Sequence, residues 1–428
     1  MNSRTFQTVI PTALALLLAA VAGMAKADDS VKSDTTTKTQ VTTSLNNGGT
    51  TTYTINAGTT RGNYLFHSFA AFGLKTNEIA HFNNANSVHS IFGRVTGLSP
   101  SQIDGLIKAN GAANLYLINP NGIVFGPNAT IDIGGAFFAS TANAVTFNDY
   151  SFSAATGNDV PELLTSDIAP GLQPGAAGSL LQNQGVLIVK EGKTLLLSSD
   201  RIEISGGSLT ANGGNVQLQG SSSVSIAAGT VSALNSPTKN GSINIQGGAI
   251  TIGAKSGRTI LRAGNAAGLS PDETTASNFT LLDAGTASTG SPITLQGGEN
   301  QAIQIFSGAA LPNSPQGITS LRGATFVNAK APTNSTNTVS QRIVVGGILS
   351  GTPASPTATS QTTTIGAGTY LKANNGGKID VLSTGTTTSS GSLTADGGAL
   401  NLKGSTLSVD GGALQANGGA ISLDGATT

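Results

Sequence analysis

Leu393-Thr-Ala-Asp-Gly-Gly-Ala-Leu-Asn-Leu-Lys-Gly404 returns 21 residues later as Leu414-Gln-Ala-Asn-Gly-Gly-Ala-Ile-Ser-Leu-Asp-Gly425. An earlier copy stands at Leu209-Thr-Ala-Asn-Gly-Gly-Asn-Val-Gln-Leu-Gln-Gly220. Each copy ends in alternating apolar and polar residues, the pattern of a half-buried strand. The Asn/Asp-Gly-Gly triplet supplies a corner, because glycine accepts the positive φ that other residues avoid. A period of about 20 residues built from short strands and Gly corners marks a solenoid. Outward from these copies, residues 185–189, 194–198, 201–205, 216–218 and 224–226 read as evenly spaced strands. One such coil cannot bury its inner face alone, whereas stacked coils build a continuous apolar core and leave edges only at the two ends. The expected fold is all-β: a right-handed parallel β-helix, or solenoid, with an N-terminal capping region.

The same grammar runs upstream, less regularly. Short apolar bursts alternate with turns such as Asn46-Asn-Gly-Gly49 over residues 41–92. Across 93–147, strand candidates recur at 103–107, 115–118, 123–125, 131–133 and 136–138. Stretches near 266–278 and 331–364 break the pattern and are expected as loop-like insertions, or as a softer join between two solenoid blocks.

The composition excludes several function classes. Among 428 residues, only 10% are charged, the formal net charge is +0, and Cys and Trp are both absent. Sparse, balanced charge gives no footprint for nucleic acid or an anionic membrane. Without cysteine there is no thiol catalysis, cysteine metal site or disulfide. Residues 1–27 read as a secretory signal peptide, with Arg4 in the n-region, an apolar run over 13–22 and Ala25-Lys-Ala27 before Asp28. That apolar run is too short to span a bilayer, and no other segment approaches membrane length. A cysteine-free chain suits passage through an oxidising periplasm. Residues 28–41, polar and Thr-rich, are expected as a flexible start.

The densest turn signal lies in Asn114-Leu-Tyr-Leu-Ile-Asn-Pro-Asn-Gly-Ile-Val-Phe-Gly-Pro-Asn-Ala129. Two apolar runs flank Asn119-Pro120-Asn121-Gly122. Proline pre-sets one turn dihedral, and Asn121 and Gly122 tolerate the left-handed region. A second turn follows at Gly126-Pro127-Asn128.

This run resembles the secretion domain at the start of filamentous haemagglutinin-like exoproteins, the cargo of two-partner secretion. The resemblance rests on Asn119-Pro-Asn-Gly-Ile123, Phe125-Gly126 and Phe138-Ala-Ser-Thr141. Upstream, Leu65-Phe-His-Ser-Phe69, Phe92-Gly-Arg-Val-Thr-Gly97 and Ile103-Asp-Gly-Leu-Ile107 fit in the expected order. Pro161-Glu-Leu-Leu-Thr165 and Pro170-Gly-Leu172 resemble cyanobacterial-like members. Proteobacterial members carry an earlier Asn-Pro-Asn-Leu segment, where this chain has Asn83-Asn-Ala-Asn86 and no proline.

The resemblance implies a secretion (haemagglutination activity) domain over 42–184 and continuing β-helix repeats over 185–428. It implies a non-enzymatic exoprotein, secreted or held at the cell surface by way of the periplasm. Its partner would be an outer-membrane two-partner secretion transporter, a β-barrel with POTRA modules. The secretion motif would be Asn119, Pro120, Asn121, Gly122 and Ile123, with the transporter's periplasmic modules meeting the unfolded or nascent domain by strand addition. The effector role implied is adhesion or haemagglutination, through a carbohydrate or protein receptor on a host cell or surface. The chain stops at Gly425-Ala-Thr-Thr428, directly after a repeat, so it is expected to be the front of a longer exoprotein or a fragmentary gene product.

Catalytic constellations are scarce. His67, His81 and His89, spaced by 14 and 8 residues, match no helix-face ligand pattern. The expectation is one histidine packed against the cap and two on surface loops. A carbohydrate-active β-helix enzyme, the main rival, would need acidic residues converging on one face. Asp200, Arg201 and Glu203 are the candidates, but Asp200 and Arg201 point to opposite sides of a strand, and Arg201 with Glu203 reads as a surface ion pair. The other rival is a structural surface or matrix protein. No cofactor or metal motif is present: the Gly-Gly pairs lack the calcium-repeat pattern, and the Gly-rich corners do not open helices.

Overall fold

The computed structural model describes residues 31–427 except 148–149, 157–159, 161–170, 173–176, 254–257, 267–268, 270–278, 285–292, 298–301, 308–317, 323–324, 330–341, 351–354 and 375. The expected signal peptide therefore lies outside the described residues, as do nearly all of 266–278 and the first part of 331–364.

Parallel pairing of each strand with the strand one coil later dominates the architecture. Leu117 pairs with Ala139, Ala139 with Leu197, Leu197 with Leu218 and Leu218 with Ile245. The same inward file continues through Leu295, Val327, Leu371, Leu393 and Leu414. Its members up to Leu393 are fully buried. The result is a β-solenoid of about 12 turns, with no helix among the described residues. The last two sequence repeats stack directly, Leu393 on Leu414 and Leu402 on Leu423.

The Gly-Gly corners have a double cause. Gly397 takes a φ of +77°, the left-handed turn. Gly398 lies so close to the coil beneath that a Cβ would run into the Gly377 carbonyl oxygen. The first glycine turns the chain and the second lets coils approach.

Several boundaries differ from the sequence reading. Residues 194–198 and 201–205 belong to one bent strand, Thr194–Thr210, and 216–218 and 224–226 to another, Asn215–Leu234. Register shifts between Ser199 and Arg201 turn the corner without leaving the ladder. Conversely, 103–107 divides into Ser101–Ile103 and Leu106–Ala109, because Asp104 turns aside to bind Asn128. Within 331–364, Arg342–Val345 joins the stack while Gly347–Ser350 and Ser355–Ala358 form a separate antiparallel pair.

The amino-terminal end is capped by antiparallel strands. Thr39–Leu45 pairs with Thr51–Ala57, and Val31–Ser33 pairs with the Tyr64–Phe72 strand. The expectation of a flexible start over 28–41 is thus corrected for residues 31–33 and 39–41, which are strand. Composition hid this because the ties are hydroxyl and carboxylate contacts. Asp34 accepts from the Ser68 and Thr96 hydroxyls, and the Thr39 hydroxyl sits 3.0 Å from His67 Nδ1.

A second core lies outside the coil. Phe66, Phe92, Tyr116 and Phe138 stack on consecutive coils of the outer face, with centroid spacings of 5.1, 4.7 and 4.1 Å. A small antiparallel sheet of Ala144–Phe147, Tyr150–Ser153 and Gly171–Leu172 covers them through Val145, Phe147 and Phe152. Arg94, fully buried, fastens this cover to the cap. It donates to Ser68 Oγ, the Ser153 carbonyl and Thr36 Oγ1, and lies 4.1 Å over the Phe152 ring.

Leu218→Ala should cost about 2–5 kcal/mol, the range for deleting a packed leucine. Gln217→Ala, on the outward side of the same strand, should stay within about 0.5 kcal/mol. Denaturant midpoints of the two variants check this.

Candidate functional site

The coil corner formed by Asn119-Pro120-Asn121-Gly122 joins strands Asn114–Ile118 and Ile123–Phe125. Gly122 N–H donates to the Asn119 carbonyl at 3.1 Å, closing a β-turn. The Asn119 side-chain oxygen accepts from the Asn121 backbone N–H at 3.0 Å, an Asx turn within the first turn. Only Gly122 takes a positive φ, +120°, while Asn121 does not, so the left-handed conformation expected at both positions is confined to the glycine.

Asn119 is fully buried. Its Nδ2 donates to the Ser99 carbonyl and to Ser101 Oγ, both at 3.0 Å, one coil earlier. Its backbone N–H donates to the Ser140 carbonyl one coil later. Asn121 Nδ2 reaches the Gly97 carbonyl at 2.8 Å, and the Ser101 N–H donates to the Gly122 carbonyl at 3.0 Å. A Cβ on Gly122 would stand 3.1 Å from the Leu180 carbonyl oxygen. The turn therefore clamps the loops before and after it. Of the five singled-out residues, Asn119, Gly122 and Ile123 are buried, Pro120 is half-buried and Asn121 is exposed.

Other pieces of the sequence pattern fasten this corner and its neighbours by similar side-chain contacts. Thr141 follows Asn119 one coil on, and its hydroxyl lies 2.8 Å from both Ser179 Oγ and Ser199 Oγ. At the next corner Asp104 accepts from the Asn128 N–H and side chain and from the Thr76 hydroxyl. Asn83 and Asn84 meet Asn110: the Asn110 N–H donates to Asn84 Oδ1 at 2.9 Å, and Asn83 Nδ2 donates to Asn56 Oδ1 at 2.9 Å. Asn83-Asn84 thus builds an amide ladder across coils without the proline. Sequence reasoning missed Arg94, whose Ser68 and Thr36 partners lie far from it in the chain.

The histidines do not converge. His67 is buried beside Phe69 and Phe82, and burial pushes its pKa down to about 3. His81, expected on a surface loop, lies instead in strand Glu78–Phe82, with Nε2 2.8 Å from Asn110 Oδ1. His89 is exposed outside a strand. No group of three or more His, Asp or Glu gathers at metal distance among the described residues. Arg201 and Glu203 form an exposed pair at 3.9 Å. Asp200 is buried, which pulls its pKa up, but hydrogen bonds from Ser221, Ser222 and the Gly178 N–H, with the Arg201 charge, outweigh this and hold it below its ordinary value. That is the opposite of what a general acid needs.

The model of the TPS (two-partner secretion) domain family matches residues 29–239. Residues 29–239 are a two-partner secretion domain. The match begins inside the segment expected to be flexible and runs beyond 184 into the regular coils. The heme/hemopexin-binding protein of Haemophilus influenzae is 28% identical over 194 residues, 43% of this chain and 20% of that protein. The matched region therefore spans about a fifth of that curated relative. Among solved structures, the HMW1 secretion domain from Haemophilus influenzae aligns with a TM-score of 0.41 and 17% identity, over 92% of this chain and 100% of that one. The filamentous hemagglutinin secretion domain aligns with a TM-score of 0.29 and 16% identity, over 92% and 99%.

Two outcomes test the corner and the cap of the secretion domain. Asn119→Ala strands the Ser101 hydroxyl, the Ser99 carbonyl and the Asn121 N–H, and should lower stability by about 1–3 kcal/mol in denaturant unfolding. His67 is neutral when folded and protonates near 6.5 when unfolded. Its folded pKa is the lower one, so the unfolded chain binds more protons below 6.5. Stability should fall by up to about 1.4 kcal/mol per pH unit as pH drops from about 6.5 toward 3, with unfolding midpoints at pH 7 and 5 as the measurement. His67→Phe should flatten that slope.

Proposed function

We propose that this chain is a surface exoprotein whose 119–123 corner is read by an outer-membrane transporter during export, and that its effector role is adhesion or haemagglutination. The observation that carries the reading is the secretion-domain match over residues 29–239 in a chain built as a parallel solenoid. The route runs through the periplasm after removal of the signal peptide, and the transporter is a β-barrel with POTRA modules. Each coil that emerges outside the cell buries another set of inward Leu, Ile and Val side chains, so sequential stacking supplies a driving force for export. The receptor is a carbohydrate or protein on a host cell or surface, bound by the outward faces of the coils. These faces carry Ser, Thr, Asn and Gln in register, as in Gln217, Asn244 and Thr294 on three consecutive coils.

The test is secretion of the full chain with and without a co-expressed partner transporter. Export to the medium only with the partner is expected. Equal export in both cases would break the reading. Asn119→Ala should lower partner-dependent secretion while synthesis is unchanged.

A further inference from the structure

His67 lies buried at the seam between the amino-terminal cap and the coils. Its strand, Tyr64–Phe72, pairs on its coil side with Ser90–Val95. On its cap side it pairs with Thr59–Arg61 over residues 64–66 and with Val31–Ser33 over residues 69–72. Residues 67 and 68 fall in the gap between those two cap strands. The segment 34–39 closes the gap. The Asp34 N–H donates to the Ser68 carbonyl at 3.3 Å, and the Ser68 N–H donates to Thr39 Oγ1 at 3.3 Å. The same Thr39 hydroxyl lies 3.0 Å from His67 Nδ1 and 2.6 Å from Thr37 Oγ1. Glycines shape the slot around the ring. A Cβ on Gly58 would stand 2.8 Å from His67 Cε1, and Gly93 lies opposite His67 in the register of the next coil. Phe69 and Phe82 flank the ring, with centroids at 6.1 and 5.6 Å.

Such a slot suits a neutral imidazole and offers an imidazolium neither water nor a counter-ion. The charged groups on the surrounding elements are engaged elsewhere. Lys32 and Lys38 of the cap are exposed. Asp34 accepts from Thr36, Ser68 and Thr96, and Arg61 donates to the Thr60 and Val160 carbonyls. Glu78 accepts from the Tyr53 hydroxyl and the Lys75 N–H, and His81 meets Asn110. Arg94 is bound to Ser68, Thr36 and the Ser153 carbonyl. His67 bonds to none of these charged groups.

In a stack held together by neighbour contacts, a terminal unit can detach while the rest stays folded. The cap is such a unit: Val31–Ser33 and Thr39–Leu45 each have a single strand partner. We infer that protonation of His67 opens the cap over residues 31–45 while the coils stay folded, so that the seam is an acid-sensitive latch. Opening frees the backbone edges of Thr51–Ala57 and Tyr64–Phe72, and a free edge accepts an added strand.

The size of the effect follows from proton linkage. Burial penalises the charged ring, so His67 titrates near 6.5 when released and near 3 when enclosed. The closed form binds fewer protons, so opening gains as pH falls below 6.5, by about 25-fold between pH 7 and pH 5. Asp34 stays ionised across that window. Burial pulls its pKa up, but bonds from Ser68, Thr96 and Thr36 outweigh this and hold it below its ordinary value.

The experiment is hydrogen exchange of the full chain at pH 7 and pH 5, with each rate divided by the intrinsic rate at that pH. Peptides covering residues 31–45 should lose about 25-fold in protection at pH 5. Peptides from the Thr194–Thr210 and Asn215–Leu234 strands should keep theirs. His67→Gln and His67→Phe should remove the pH dependence of the cap, whatever their protection at pH 7. An equal fall in cap and coils would overturn the latch, because it would mean that the molecule opens as one unit. Unchanged protection of the cap at pH 5 would overturn it too, as would a fall that persists in His67→Gln. The wild-type comparison alone decides between these outcomes where a variant fails to fold.

Discussion

Everything in this molecule depends on one constraint: each coil must bury its inward side chains against the coil before and after it. The file from Leu117 through Leu197, Leu218, Ile245 and Leu295 is that constraint in its simplest form. Parallel pairing satisfies the backbone donors and acceptors between coils, and the inward files exclude water. Neither works alone. A coil without its neighbours has an unpaired backbone and an exposed apolar face, so stability is a sum over interfaces between coils.

Corners are where this arrangement is most easily broken, since the chain must turn while staying within strand distance of its neighbours. The protein solves this in graded ways. Far along the chain, glycine pairs such as Gly397 and Gly398 give the tightest contact. At Asn119, a buried carboxamide replaces missing backbone partners on the adjoining loop. At Thr141, a chain of hydroxyls does so. Polar side chains inside an apolar column are tolerable because each finds hydrogen-bond partners there.

The amino-terminal region adds material outside the coil that the regular repeats lack. Antiparallel strands close the first coil, and a small sheet covers the stacked rings of Phe66, Phe92 and Tyr116. Arg94 ties these additions together, because its guanidinium meets groups from residue 36, residue 68 and residue 153 at once. A fixed fork with several donors suits such a junction better than a point charge. The secretion domain therefore differs from the later coils by its polar and aromatic fastenings, while the inward ladder is common to both.

The sequence by itself determined the periodic part of this protein. Alternation fixed which residues face inward, the Asn/Asp-Gly-Gly triplets fixed the corners, and Leu393 to Gly404 with Leu414 to Gly425 stack in the register their 21-residue offset requires. These features are local, and one period of sequence carries them. The turn at 119–122 was legible for the same reason. Only the tertiary structure decided what that turn does: its amide partners lie about 20 residues away, on Ser99, Ser101 and Gly97. It also decided that residues 31–33 and 39–41 of the Thr-rich start are strand, that His81 lies in the sheet, and that Arg94 is buried. Each of those outcomes depends on groups brought together across coils, and no local pattern encodes which coil lies above another's polar side chain.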